Sequence, residues 1–187
     1  MSLELELKVK VQNFDAVRKA LSEAGAKYVG AVLETNTFFD TPDKSLLAQD
    51  KGLRLRKTCD DHTGQEHFVI TVKGPAQAGP FKSREEAETD VDDGDRAAGV
   101  LQALGYRPEL SFEKRRESWT LEACKIELDE LPILGRFVEI EGPDEPTVTR
   151  VRDRLGLANL PSIKTGYITM LACHLQETGD TRKAITF

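Results

Sequence analysis

The sequence predicts an α+β protein built on a closed antiparallel barrel of eight strands with flanking helices. Two observations predict it. Eight segments alternate apolar and polar residues with a period of two, and only four carry a helical period. The polar face of most strands is also made of full charges rather than Thr, Ser, Gln or Asn.

The elements follow in order. In Leu3–Val11, residues Leu3, Leu5, Leu7, Val9 and Val11 point one way and Glu4, Glu6, Lys8 and Lys10 the other, which makes a strand. Asn13-Phe14-Asp15 opens a helix whose period runs Phe14, Val17, Leu21, with Gly25 as its stop. Glu34–Phe39 is the second strand, ended by the turn cluster Asp40-Thr41-Pro42-Asp43. Leu53–Thr58 and His67–Lys73 form a hairpin joined by Asp60–Gly64. Gly74–Gly79, with two glycines and a proline, is a loop, and Ser83–Val91 is the fifth strand. Asp92, Asp93 and Asp95 cap a helix over Asp95–Leu104, because acids favour a helix N-terminus. Ser111–Leu121, Ala123–Leu131 and Arg136–Glu141 close the set of strands, and Pro146–Leu155 and Lys164–Leu175 are helices. Neither Gly74–Gly79 nor Gly142–Pro146 reads as a domain boundary, so one domain is expected over residues 1–187.

Composition narrows the function. Hydrophobic residues make up 39% and charged residues 31%, enough for a core, yet no apolar run is long enough to span a membrane. Met1-Ser2-Leu3-Glu4 has neither the basic nor the apolar region of a secretory signal. Cys59, Cys124 and Cys173 are scattered, which points to free thiols in the cytoplasm and away from a disulfide framework or zinc site. A net charge of −6 argues against DNA as a partner but leaves room for a local basic pocket. His62, His67 and His174 are isolated and fit surface or structural roles.

The charged faces carry the chemistry. Glu4, Glu6 and Lys8 share one face; Arg54 and Arg56 a second; Arg84, Glu86 and Glu88 a third. Lys114 and Arg116 share a fourth, Lys125, Glu127 and Asp129 a fifth, and Glu139 and Glu141 a sixth. On one strand such a face is ordinarily solvated. On six together it predicts an inside-out barrel, with charges converging on a channel and apolar faces covered by helices. Arginines and lysines at alternate positions bind phosphate oxygens. Carboxylates on neighbouring strands offer hard oxygen ligands for Mg2+ or Mn2+. Each set offsets the desolvation of the other, and a metal-bound polyphosphate fits between them.

Glu4-Leu5-Glu6-Leu7-Lys8 resembles the ExExK signature of the CYTH superfamily, the triphosphate tunnel metalloenzymes. Further segments resemble that family in order. Thr37-Phe38-Phe39-Asp40 is similar to its "TYFDT", Leu53-Arg54-Leu55-Arg56 to its "LRLR", and Thr71-Val72-Lys73-Gly74-Pro75 to its "TxKGP". Arg84–Glu88 is similar to "RxExE", Phe112–Arg116 to "xxKxR", Leu128-Asp129 to the "LD" that follows, and Gly135–Glu141 to "LGxFxEIE". Lys164 and Tyr167 fall where the family often has a Lys and an "SY" pair, although Gly166 stands in place of the Ser.

The resemblance implies an eight-stranded tunnel and a metal-dependent enzyme acting on a small triphosphate: ATP, inorganic triphosphate or thiamine triphosphate. By position it implies that Glu4, Glu6, Asp129, Glu139 and Glu141 bind Mg2+ or Mn2+. Arg54, Arg56, Lys73, Arg84, Lys114, Arg116 and Lys164 would bind the triphosphate, and Lys8, with Glu4 and Glu6, would be catalytic. Glu86 and Glu88 would orient the bases or join the metal shell, while Lys125 and Glu127 match no motif and read as scaffold charges. Two reactions fit: a class IV adenylyl cyclase converting ATP to cyclic AMP and pyrophosphate, placed first, and a triphosphatase, placed second. A non-catalytic polyphosphate-binding module comes third, because phosphate alone needs no metal-binding acids. A homodimer stays open.

Overall fold

The computed structural model describes the backbone of residues 2–77 and 82–187 and the side chains of residues 5–77 and 83–187. The side chain of Glu4 and the end of the Gly74–Gly79 loop lie outside the described residues.

The chain runs β1 (Ser2–Val11), α1 (Asp15–Glu23), β2 (Lys27–Asp40), α2 (Ser45–Ala48), β3 (Gly52–Asp60), β4 (Glu66–Lys73) and β5 (Lys82–Val91). It continues as α3 (Gly94–Ala103), β6 (Arg107–Leu121), β7 (Cys124–Leu131), β8 (Gly135–Glu141), α4 (Glu145–Arg154), α5 (Tyr167–Thr178) and β9 (Ala184–Ile185). Strands β2-β3-β4-β5-β1-β8-β7-β6 are hydrogen-bonded in that order, and β6 pairs back onto β2. The ring is therefore closed and antiparallel, as the alternation predicts. Strand β9 pairs in parallel with Ser111 and Phe112 of β6.

The strands are longer than the sequence suggests at two places. β2 starts at Lys27 and β6 at Arg107, and they pair from Lys27↔Thr120 to Asp40↔Arg107 with irregularities at Tyr28/Gly30 and Phe38/Phe39. The early part of β2 mixes Val29, Gly30 and Ala31 without clean alternation, so its pairing is dictated by β6 rather than by its own pattern. Helix α2 and strand β9 carry too few residues for a periodic signal. The last helix begins at Tyr167, three residues later than expected, so Lys164 lies on an irregular segment before it.

Outside the ring, Leu7, Val9, Ile126, Val138 and Ile140 pack with Val17 and Leu21 of α1 and Val148 and Val151 of α4. Burying each such side chain stabilises the fold by about 1.5–3 kcal/mol. Helix α3 sets Ala97 and Leu101 on Phe39, Leu53 and Leu55. Its Asp93 cap accepts from the Arg96 amide, as expected. Its first residue, Gly94, lies so close to the Phe68 ring that a Cβ there would approach it to 2.5 Å. Helix α5 packs Tyr167, Leu171 and Leu175 on Phe112, Leu131 and Phe137. Phe112 and Phe137 are the register partners of Asn36 and Asp129, so α5 covers the charged side of the wall, where the other helices cover the apolar side.

Asp40, at the end of β2, holds α2. Its carboxylate accepts from the amides of Thr41 (2.7 Å), Leu46 (3.0 Å) and Leu47 (3.0 Å). Burial works against the charge, but these amides win and pull its pKa below the usual carboxylate value. Asp40→Ala is expected to cost about 1–2 kcal/mol at pH 7, in the manner of a lost helix cap. A depressed acid stabilises above its unfolded pKa, here 3.8, and the effect is lost as pH falls below that. Urea unfolding should therefore show the gap between wild type and variant closing toward pH 3.

Candidate functional site: a charged cavity in the barrel

The charged strand faces meet inside the ring. A cavity of about 750 Å³ is lined by Glu6, Lys8, Arg54, Arg56, Lys73, Arg84, Glu86, Glu88, Lys114, Arg116, Glu139 and Glu141. Register explains the convergence, because directly paired residues share a face. Lys8 pairs with Glu139, Glu6 with Glu141, Arg116 with Asp129, and Lys73 with Glu86. Asp129 is fully buried in the wall behind Arg116. Lys164 is exposed and does not line the cavity.

Arg116 is the centre of the ion network. Its guanidinium grips Asp129 through two bonds of 2.7 and 2.6 Å and reaches Glu139 at 2.6 Å. Burial opposes its charge, but Asp129, Glu34 and Glu127 hold it well above the usual arginine value. Lys114 sits between Glu34 (3.1 Å) and Asp129 (3.2 Å). Burial and the Arg116 guanidinium lower its pKa, with Asp129 and Glu34 pulling the other way. Asp129 is raised by burial and by Glu139, against Arg116 and Lys114. Lys8, 1% exposed, lies 3.2 Å from Glu139 and 3.6 Å from Glu6.

Further round the wall, Arg56 pairs with Glu34 at 3.2 Å and donates to Asn36 at 2.9 Å. Arg54 donates to Thr71 at 2.9 Å. Burial and the neighbouring Arg56 push Arg54 down to about 9, so it stays charged at neutral pH. Lys73 pairs with Glu86. Arg84 is tied to Asp50 at 2.9 Å and to the Gly74 carbonyl at 3.1 Å, at the rim.

Two groups missed in the sequence belong here. Glu34, 3% exposed, faces Lys114, Arg56 and Arg116 together. Burial alone would raise its pKa, but Lys114, Arg56, Arg116 and Arg54 pull it well below the carboxylate range. Its signal was available: Glu34 and Asn36 alternate in a strand of otherwise apolar and Thr residues. Glu127, read as a scaffold charge, is also buried in the cavity wall, where Ser118 donates to it at 2.6 Å and Lys125 pairs with it at 2.6 Å. Register with Glu139 puts it there.

The acids and a divalent metal fit in donor chemistry. Glu6, Glu86 and Glu127 are near enough to act on Glu141: burial raises the Glu141 pKa, Lys125 opposes, and the three carboxylates add to the rise. A cation among them would relieve that repulsion. Among the described residues no three such ligands already converge as a shell. Glu139 is held by Lys8 and Arg116 and would have to exchange them in part for a metal. On the cationic side, Arg54 and Arg84 each bury an Nε–H without a hydrogen-bond partner among the described residues. Unpaired donors in a cavity are suited to anionic oxygens.

Comparison with known proteins agrees with this geometry. A CYTH domain profile matches residues 2–163. Adenylate cyclase CyaB of Aeromonas hydrophila is 31% identical over 141 residues, 73% of this chain and 67% of that protein. The PH1819 protein of Pyrococcus horikoshii superposes with a TM-score of 0.79 at 24% identity, over 91% of this chain and 99% of that one. HpAC1 of Hippeastrum, described as having a dominant triphosphatase activity, superposes with a TM-score of 0.65 at 20% identity, over 97% and 98%. The two structures share the fold. With its ring of strands, its charged interior and a profile match over most of its length, the chain belongs to the CYTH domain family.

Proposed function

We propose that the protein is a divalent-metal-dependent enzyme acting on triphosphates, and that it is a class IV adenylyl cyclase converting ATP to cyclic AMP and pyrophosphate. The observation that carries this reading is the joint lining of one cavity. Phosphate-binding cations stand beside an acidic wall and beside apolar Phe38, Leu110 and Ile168, which suit the organic part of a nucleotide. The name of the Aeromonas relative supports the same reading.

In this reading Arg54, Arg56, Lys73, Arg84, Lys114 and Arg116 hold the triphosphate, and Lys8 lies at its reacting end. Glu6, Glu139 and Glu141, with Glu4, hold Mg2+ or Mn2+. Asp129, expected from the sequence among the metal acids, is fully buried with its oxygens taken by Arg116, Lys114 and Tyr167 and holds those groups instead, and Glu86 orients Lys73. The ion, when bound, supplies Lewis-acid neutralisation of phosphate charge. The ribose 3′ hydroxyl gives its proton to a carboxylate of the acidic wall, its oxygen forms the bond to the α-phosphorus, and pyrophosphate leaves with the electrons of the broken P–O bond. The cations stabilise the charge that develops, so most of the catalysis is positioning and electrostatics. The three free cysteines fit a cytoplasmic setting, and no described helix is long and apolar enough to cross a membrane.

A triphosphatase, attacking a terminal phosphorus with water, is the second reading. The dominant triphosphatase activity described for HpAC1 of Hippeastrum supports it. Product identification separates the two. With Mn2+ or Mg2+, ATP should yield cyclic AMP and pyrophosphate, and EDTA should abolish turnover. ADP and phosphate from ATP, or phosphate from inorganic or thiamine triphosphate, would assign the triphosphatase. Turnover unchanged in EDTA would remove the metal from the reaction.

A further inference from the structure

We propose that Tyr167 is a positioning residue that fixes Lys8 and Asp129, so that the site forms only when the C-terminal segment docks on the barrel. This rests on the function proposed above. Tyr167 lies beyond the residues matched by the CYTH profile. It is buried at the first turn of α5, and its ring and hydroxyl do different things. The hydroxyl donates to Asp129 Oδ2 at 3.1 Å, the oxygen that Lys114 and Arg116 also bind. The ring lies under the Lys8 ammonium, with Nζ 4.0 Å from its centroid, and 5.6 Å from Lys114 Nζ. A cation over a tyrosine face is attracted by the ring quadrupole, more so when desolvated.

The adjacent backbone adds a second hold. Lys8 Nζ donates to the Thr165 carbonyl at 3.1 Å. Lys8 therefore has its carboxylate partners on the barrel and its ring and carbonyl partners on the segment leading into α5. Without that segment the ammonium would keep only the carboxylates and would be drawn toward Glu139 and Glu6, away from an incoming phosphate.

The segment is anchored at its far end as well. Leu171, Leu175 and Ile185 are buried with Phe112, Leu131 and Phe137. Strand β9 pairs with β6, the Phe187 amide donates to Glu113 at 2.9 Å, and the Arg115 guanidinium stacks 4.0 Å from the Phe187 ring. Docking of this tail and placement of Lys8 are thus one event.

The test uses the 187-residue chain with lysine labelled by 13C at Cε, and two variants. Tyr167→Phe keeps the ring and loses the hydroxyl; Tyr167→Leu keeps apolar bulk and loses both. The ring current should shift the Lys8 Hε resonance upfield, assigned through Lys8→Arg. The shift should persist in Tyr167→Phe and vanish in Tyr167→Leu while circular dichroism stays native. With ATP and Mn2+, Tyr167→Leu should lose about 10²-fold in kcat, the scale of a 1 Å misplacement, with KM changed much less. Tyr167→Phe should recover most of that loss. A folded Tyr167→Leu protein that keeps the shifted resonance would overturn the proposal, as would one with wild-type kcat. Should Tyr167→Leu fail to fold, a Tyr167→Phe protein that lacks the Lys8 shift overturns it too. If wild type binds no triphosphate, the functional reading fails, while the Lys8 resonance still decides the placement.

Discussion

Glu34→Gln should lower the melting temperature of the ligand-free protein by on the order of 10 °C. The carboxylate is the shared partner of Lys114, Arg56 and Arg116 in a dry wall. Removing one side of a buried ion cluster costs about 3–5 kcal/mol, because the remaining charges stay buried without compensation. In a domain of this size each kcal/mol moves the melting temperature by roughly 2–4 °C. The same change should make the cavity a stronger anion trap. Inorganic triphosphate should therefore raise the melting temperature of the variant more than that of wild type, by linkage to the folded state. The acid is held well below its unfolded value of 4.5, so its contribution is present above that pH and declines below it. Differential scanning calorimetry at pH 7 and pH 4, with and without triphosphate, measures all of this. A variant as stable as wild type, or one with an identical response to triphosphate, would show that Glu34 does not hold the cations.

Glu141→Gln should act in the opposite sense on stability and far more strongly on activity. The glutamate is half-buried beside other acids, and its pKa is raised. A raised acid penalises the folded state at every pH above its unfolded value, so neutralising it at pH 7 should leave the ligand-free protein as stable as wild type or more so. That difference should shrink to nothing below pH 4.5, where wild type is protonated in both states. Metal-dependent turnover should fall by about 10³-fold, corresponding to the several kcal/mol that a bound ion contributes to charge stabilisation. Binding of inorganic triphosphate in EDTA should stay near the wild-type value, because the cations are untouched. Retained turnover in the variant would move the metal elsewhere.

Much of this architecture is legible before folding. The repeat of two in Leu3–Val11 or Arg136–Glu141 is local information, and register then forces paired faces together. That is why Lys8, Arg116 and Glu139 share a cavity although they are far apart in sequence. Less legible is anything fixed by a neighbour rather than by the segment itself. Glu34 sits among Thr35, Thr37 and two phenylalanines, and its importance comes from cations on β3 and β6. Glu127 carries no motif, and its inward aim follows only from the β7–β8 register. Lys164 stands on the irregular segment before the last helix, which starts three residues later than its own pattern suggests.

The β2–β6 seam has a consequence for how the chain reaches this state. Strands that begin at Lys27 and Arg107 must find each other to close the ring, and such distant pairing makes folding slow. Until then β2 and β6 are open edges of an unfinished sheet, the usual starting point for strand-to-strand aggregation. The concave face of that unfinished sheet carries Arg54, Arg56, Lys114 and Arg116 rather than apolar side chains. Carboxylates such as Glu34 and Glu139 stand among these cations, so a second copy pressed onto the face would have to strip water from charges of both signs, which is costly. The ion-lined interior thus also shields the growing barrel from its own kind during assembly, before any ligand is met.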